Sequence, residues 1–143
     1  MIKFIQAAET LPIRSEVLRQ GKPFPECVFE GDTDAGSFHL GYFAQDRLIG
    51  VATFHSNSHD KFGGKGYQLR GMATLPSFRK SGVGNQLLNF AIVYLRGQDA
   101  NYLWCNARKV AYAFYQNLGF EFISEEFEIP GIGPHREMFL KIR

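Results

Sequence analysis

From Leu75 to Leu88 the chain reads Leu-Pro-Ser-Phe-Arg-Lys-Ser-Gly-Val-Gly-Asn-Gln-Leu-Leu: the end of a strand, a basic glycine-rich turn, then an amphipathic helical period. The first amides of a helix have no intrahelical acceptor, and the helix dipole adds positive potential there. Gly82 and Gly84 let an anion approach the backbone, and Arg79 and Lys80 bring formal charge beside it. Arg79, Lys80, Ser81, Gly82, Val83 and Gly84 together suit a metal-free cradle for a pyrophosphate. Other glycine-loop chemistries do not fit. No stretch matches Gly-x-x-x-x-Gly-Lys-Ser/Thr, and a dinucleotide fingerprint needs Gly or Ala where Leu87 stands.

The remaining reactive side chains carry less. Cys27 and Cys105 form no C-x-x-C pair and lie in no cysteine-nucleophile signature, so both read as small hydrophobes. His55 and His59 stand four apart, but their Ser/Asn-rich loop offers no helix to hold them on one face, and no metal site is expected. Glu125-Glu-Phe-Glu128 has the charge to attract a cationic amine, and equally the pattern of a solvated strand flank.

The elements that must position the turn follow from hydrophobic period and breakers. Ile2–Ile5 reads as a short strand, and Thr10 as the cap of a helix with Pro12 in its first turn and Ile13, Val17 and Leu18 on one face. That helix should stop near Gly21-Lys-Pro23, and residues 22–37 read as irregular. Phe38–Phe43 and Arg47–Phe54 form a hairpin about Ala44–Asp46. A polar loop from His55 to Gly66 precedes a strand over Tyr67–Leu75, stopped by Pro76. From Gly82 a helix presents Leu87, Leu88, Ala91, Ile92 and Leu95 on one face. Tyr102–Cys105 is a strand, and Val110, Phe114 and Leu118 stripe a helix that Gly119 ends. Two last strands, near 120–128 and 136–142, flank the breaker-rich Pro130–Pro134. About seven strands and three helices imply an α/β fold with a mixed sheet.

The 143 residues suit one domain, with 45% hydrophobic and 21% charged residues. Fourteen phenylalanines supply core area without metal or disulfide help. The apolar runs are too short to span a bilayer, and the first residues lack a signal-peptide pattern, so a cytoplasmic protein without membrane contact is expected. A net charge of +2 with scattered basic residues disfavours a nucleic-acid partner.

Arg79-Lys-Ser-Gly-Val-Gly84 resembles the Arg/Gln-x-x-Gly-x-Gly/Ala turn of the GNAT N-acetyltransferase superfamily, which binds the pyrophosphate of acetyl-CoA. Ala111-Tyr-Ala-Phe-Tyr-Gln-Asn-Leu-Gly-Phe120 is similar to its second signature, and the element order agrees across residues 1–143. Ile13-Arg-Ser-Glu-Val17, Glu30-Gly-Asp32 and Ile132-Gly-Pro-His135 further resemble the ElaA-like branch.

The resemblance implies a single GNAT domain over 1–143, with a sheet of six to seven strands and a splayed strand pair that forms an acyl-CoA cleft. It implies that Met72, Ala73 and Thr74 offer backbone groups to pantetheine, and that an N–H there polarises the thioester. A primary amine, on a small molecule or a protein, then attacks acetyl-CoA directly. Tyr115 is the implied acid for the departing thiolate, with Tyr112 three residues earlier as its substitute. Where many relatives carry Asn seven residues before that tyrosine, this chain has Arg108; Asn106 is the nearest asparagine and the candidate pantetheine contact. No carboxylate lies in Tyr67–Thr74, which leaves His39, His135 or a water relay as base. A non-catalytic acyl-CoA-binding sensor or partner-binding module shares the same turn, and a homodimer through sheet edges is compatible with the pattern.

Overall fold

A computed structural model describes residues 1–143, in two units: Met1–Ser56 with Leu69–Tyr94, and Asn57–Gln68 with Leu95–Arg143. The architecture is α/β with three α-helices and a mixed set of eight strands, one more than the periodicity suggests.

In the first unit β1 (Ile2–Ile5) pairs antiparallel with β2 (Phe38–Ala44), and β2 with β3 (Arg47–Ser56). The hairpin turn falls at Gln45 and Asp46, both at positive φ, as a tight two-residue connection requires. β4 (Gly66–Thr74) adjoins β3 through its later residues. Helix α1 (Ala7–Ile13) starts one turn earlier than Thr10. Gln6 caps it, its amide donating to Glu9 Oε2 at 2.6 Å, while Thr10 is buried and bonds back to the Ala7 carbonyl. Pro12 then removes a ladder donor, and the helix widens into a π turn over Arg14–Leu18. The wide turn directs Arg14 and Ser15 into the interior and leaves Val17 and Leu18 half-buried, which breaks the expected apolar face. Phe24–Cys27 forms a 3₁₀ turn within the stretch read as irregular.

Helix α2 (Val83–Gly97) packs as its period dictates, with Val83, Leu87, Leu88, Ala91 and Leu95 buried and Ile92 half-buried. Phe4, Phe38 and Tyr94 meet at 4.8–5.9 Å between ring centroids, and Phe38 stacks on Phe54.

In the second unit β5 (Tyr102–Arg108) pairs parallel with the start of β4, Gly66–Gln68 against Tyr102–Trp104, and antiparallel along its whole length with β8 (Gly133–Lys141). The β4–β5 ladder is three pairs long. A Cβ on Gly66 would lie 2.3 Å from the Tyr102 ring, so the glycine lets that ring lie across the strand start. The Tyr102 hydroxyl accepts from the His59 amide at 2.7 Å, which ties the 57–66 loop to β5.

The strand expected over 120–128 is two short ones, β6 (Glu121–Phe122) and β7 (Phe127–Ile129), both on β8. Their registers differ by two because residues 123–126 bulge opposite Arg136 and Glu137. Ser124 fixes the bulge: its Oγ accepts from the Glu137 amide and its carbonyl from Arg136 Nε. β8 begins at Gly133, three residues before the expected start, because Pro134 sits where β7 pairs only briefly.

Helix α3 (Tyr112–Asn117) corrects the Val110–Phe114–Leu118 stripe. Val110 lies in a preceding 3₁₀ turn and is 91% exposed, while Tyr115 and Phe120 are buried. The later start rotates the face by one residue.

Candidate functional site

The glycine-rich turn stands at the mouth of α2 in the first unit. Arg79, Lys80, Ser81 and Gly82 are exposed, Lys80 and Gly82 sit at positive φ, and Val83 opens the helix. A Cβ on Gly82 would meet only the Gln86 amide at 3.8 Å; its φ of +85°, not crowding, is what calls for glycine. The first helical bond, Gln86 N–H to Gly82 O at 3.0 Å, leaves the amides before it without intrahelical acceptors. With two exposed cations beside them, these donors fit a doubly charged phosphate ester.

Gly50 on β3 brings the end of β4 and this helix start together. A Cβ there would lie 2.7 Å from Val83 Cγ1 and 3.6 Å from both the Ala73 carbonyl oxygen and Thr74 Oγ1. The Leu75 amide donates to the Ile49 carbonyl at 2.9 Å, closing the same corner. Met72, Ala73 and Thr74 therefore share one unit with Arg79–Gly84, anchored through Ile49–Gly50. Just before them Gly71 adopts φ +62°, a break in the strand where a side chain would strike the Phe29 ring at 2.5 Å.

Tyr115, Tyr112, Asn106, Arg108 and His135 belong to the second unit. Tyr115 is buried against Phe114 and Phe120, and its hydroxyl donates to the Cys105 sulfur. Burial first, then Cys105, pushes its phenol well above the ordinary value, so it holds its proton at neutral pH. The Cys105 thiol is pushed up to about 12 by burial, against the pull of the Tyr115 hydrogen bond. Tyr112 bonds Glu126 at the surface, and Asn106 and Arg108 are exposed on β5.

The histidines have partners of their own. His39 is buried, its Nε2 donating to the Asp32 carbonyl at 2.8 Å and its Nδ1 accepting from Thr53 Oγ1 at 2.7 Å. Burial lowers its pKa, and with both nitrogens engaged it is a core group rather than a free base. His135 donates from Nδ1 to the Gly133 carbonyl at 2.8 Å. His55 and His59 each find a separate carboxylate, Asp32 and Glu137, both at 3.0 Å. His59 Nδ1 accepts from the Lys61 amide, so Nε2 carries the hydrogen that Glu137 receives.

Sequence reading missed the ion cluster of the first unit. Arg14, fully buried, forks onto Asp32 at 2.6 and 3.1 Å and also donates to Thr53 and the Cys27 carbonyl. Burial raises the Asp32 carboxyl, but hydrogen bonds from Arg14, His55 and the Phe29 amide outweigh it and hold the pKa at about 2. The available signal was that Arg14 and Asp32 both lie in the short segments, Ile13–Val17 and Glu30–Asp32, that resemble the ElaA-like branch.

Comparison with known proteins bears on the family and the fold. The "Acetyltransferase (GNAT) family" model matches residues 6–120. The chain is 36% identical over 143 residues, 99% of its length and 96% of the relative's, to the "Uncharacterized N-acetyltransferase YitI" of Bacillus subtilis. Its fold is that of Escherichia coli ElaA (TM-score 0.77, 19% identity, 97% of each chain). It is likewise that of an aminoglycoside 6'-N-acetyltransferase solved with coenzyme A (TM-score 0.74, 16% identity, 100% and 97% covered). A phosphate-receptive turn at the head of α2, met by a family match that spans both of the motifs read from the sequence, has one reading: the chain belongs to the GNAT family of acetyltransferases.

Proposed function

We propose that the protein transfers an acetyl group from acetyl-CoA to a primary amine of a small molecule or a protein, by direct attack of the uncharged amine on the thioester. The observation that carries it is the turn before α2, whose free amides, positive-φ glycine and two exposed cations suit a pyrophosphate. In this reading Arg79, Lys80, Ser81, Gly82, Val83 and Gly84 hold the pyrophosphate. Met72–Thr74 offer backbone groups to pantetheine and an N–H to the carbonyl oxygen, where negative charge grows as the amine adds. Asn106 is the polar contact that stands in for the residue replaced by Arg108.

A C–N bond forms and the C–S bond breaks; the thiolate takes a proton, and the former ammonium gives one up. Tyr115 is the donor for the thiolate. Burial keeps its hydroxyl protonated, the form a general acid needs. With His39 committed to the core, a water relay or His135 Nε2 receives the amine's proton.

Calorimetric titration with acetyl-CoA tests the reading. One-to-one binding is expected, weakened about 10- to 100-fold when Arg79 and Lys80 are both alanine. A folded protein that does not bind overturns it. Tyr115→Phe should preserve that affinity and depress turnover by about 100-fold or more. Unchanged turnover removes Tyr115 from the acid role. Binding without any turnover supports the second reading, a non-catalytic acyl-CoA-binding module.

A further inference from the structure

The first unit gathers more positive charge than it neutralises just ahead of Met72. Three guanidiniums lie over the single ring of Phe29: Arg14 at 3.9 Å from its centroid, Arg70 at 4.5 Å and Arg19 at 5.4 Å. Only one carboxylate joins them. Asp32 spends both oxygens on Arg14, with His55 and the Phe29 amide as further donors. Arg14 keeps a fully buried Nε with no partner at all. Arg19 donates to the adjacent Leu18 carbonyl alone, and Arg70, half-buried on β4, has neither a hydrogen bond nor an ion pair. Glu16, Glu26 and Glu30, exposed on the same segments, pair with none of them.

Partly desolvating three like charges around one ring is unfavourable unless something of opposite sign completes the set. Burial, and then the charge of Arg14, pull the pKa of Arg70 down and outweigh the attraction of Asp32. A guanidinium held against an aromatic ring keeps its N–H donors in a planar fork, a shape that matches a carboxylate or a phosphate. Position supplies the function. Arg70 stands two residues before Met72, so their backbones are at most about 7 Å apart. Gly71, by lacking a side chain, allows Phe29 and the Arg14 guanidinium to press on the strand between them.

We infer that the acceptor amine carries an oxyanion, a carboxylate or a phosphate a few bonds from its nitrogen, which docks on Arg70 and Arg19 beside Phe29. This rests on the proposed acetyl transfer at Met72–Thr74. It narrows the acceptor class to small amino acids and amino phosphates, and it gives the unpaired guanidiniums their counter-ion.

The test compares amines that differ only in that anion: L-amino acids against their amides, and O-phosphoethanolamine against ethanolamine. Thiol release is followed at saturating acetyl-CoA. The amide's amine is less basic and more often uncharged at pH 7.5, so chemistry alone favours the amide. A preference of about tenfold or more in kcat/KM for the anionic member supports the inference, and whichever pair shows it identifies carboxylate or phosphate. Arg70→Gln and Arg19→Gln should each erase most of that preference through KM, Arg70→Lys should retain part, and acetyl-CoA affinity should not change. Equal use of both members, or a preference untouched in both Gln variants, overturns it. Should the wild type release no thiol, saturation-transfer NMR with the same pairs decides: selective binding of the anionic member, lost in Arg70→Gln, upholds the anion site while the transfer reading fails, and equal binding refutes both.

Discussion

Gly50→Ala tests whether the core of the first unit sets the geometry of the cofactor turn. The new Cβ would stand 2.7 Å from Val83 Cγ1, about 0.7 Å inside ordinary contact. Val83 is 4% exposed and β-branched, so it has no easy rotamer to escape into, and it is the first residue of α2. The backbone must yield instead. Overpacking of this kind costs about 1–3 kcal/mol, which for 143 residues lowers Tm by about 3–10 °C. The same shift moves the free amides of the turn, and losing one charge-assisted hydrogen bond weakens acetyl-CoA binding by about 10- to 100-fold. Scanning fluorimetry and calorimetric titration measure the two effects. Val83→Ala in the Gly50→Ala background removes the colliding methyl and should recover most of the affinity. Gly50→Ala with unchanged Tm and affinity, or a double variant that recovers nothing, would refute the idea that this contact sets the turn.

Asp32→Asn should cost about 3–5 kcal/mol at pH 7 by leaving Arg14 buried and unpaired. Because Asp32 titrates near 2 when folded and at 3.8 otherwise, its ionised form contributes about 1–2 kcal/mol after solvent screening; this is complete above about pH 4 and lost as pH falls through 2. Urea midpoints across that window should fall in the wild type more steeply than in Asp32→Asn, and parallel curves would contradict the assignment. Gly66→Ala, which drives a methyl into the buried Tyr102 ring, should lower Tm sharply, whereas Gly63→Ala, with nothing within 4 Å, should not; similar melting of the two would show that the Gly66 clearance is dispensable. Cys27 and Cys105 should resist a thiol reagent at pH 8 until the protein is unfolded, and rapid labelling of the native protein would contradict the burial of both and the raised pKa of Cys105.

Local rules were enough to read the turn and most elements from the chain. Helix α2 follows from its 3.6-residue period, the β2–β3 hairpin from alternation about a two-residue turn, and the Arg79–Gly84 cradle from glycine and charge at a helix start. Each depends on residues within a few positions of one another. What failed turned on competing local turns or on partners far along the chain. Thr10 looked like a cap until Glu9 and Gln6 supplied a better one, and nothing near Arg14 in the chain showed that the π turn carries it onto Asp32, 18 residues away. Val110 fitted a core stripe, but the 3₁₀ turn shifted the face and buried Tyr115 against Cys105. His55 and His59 read as loop residues without a metal, but their carboxylate partners could not be read, because Asp32 and Glu137 are far from them in the chain. By itself the sequence determined the fold class and the place of the glycine-rich turn, since period, breakers and helix ends are local properties. Only the tertiary structure decided which polar groups are buried together, and which guanidiniums are left without a carboxylate, because pairing across elements is set by packing that no short window of residues contains.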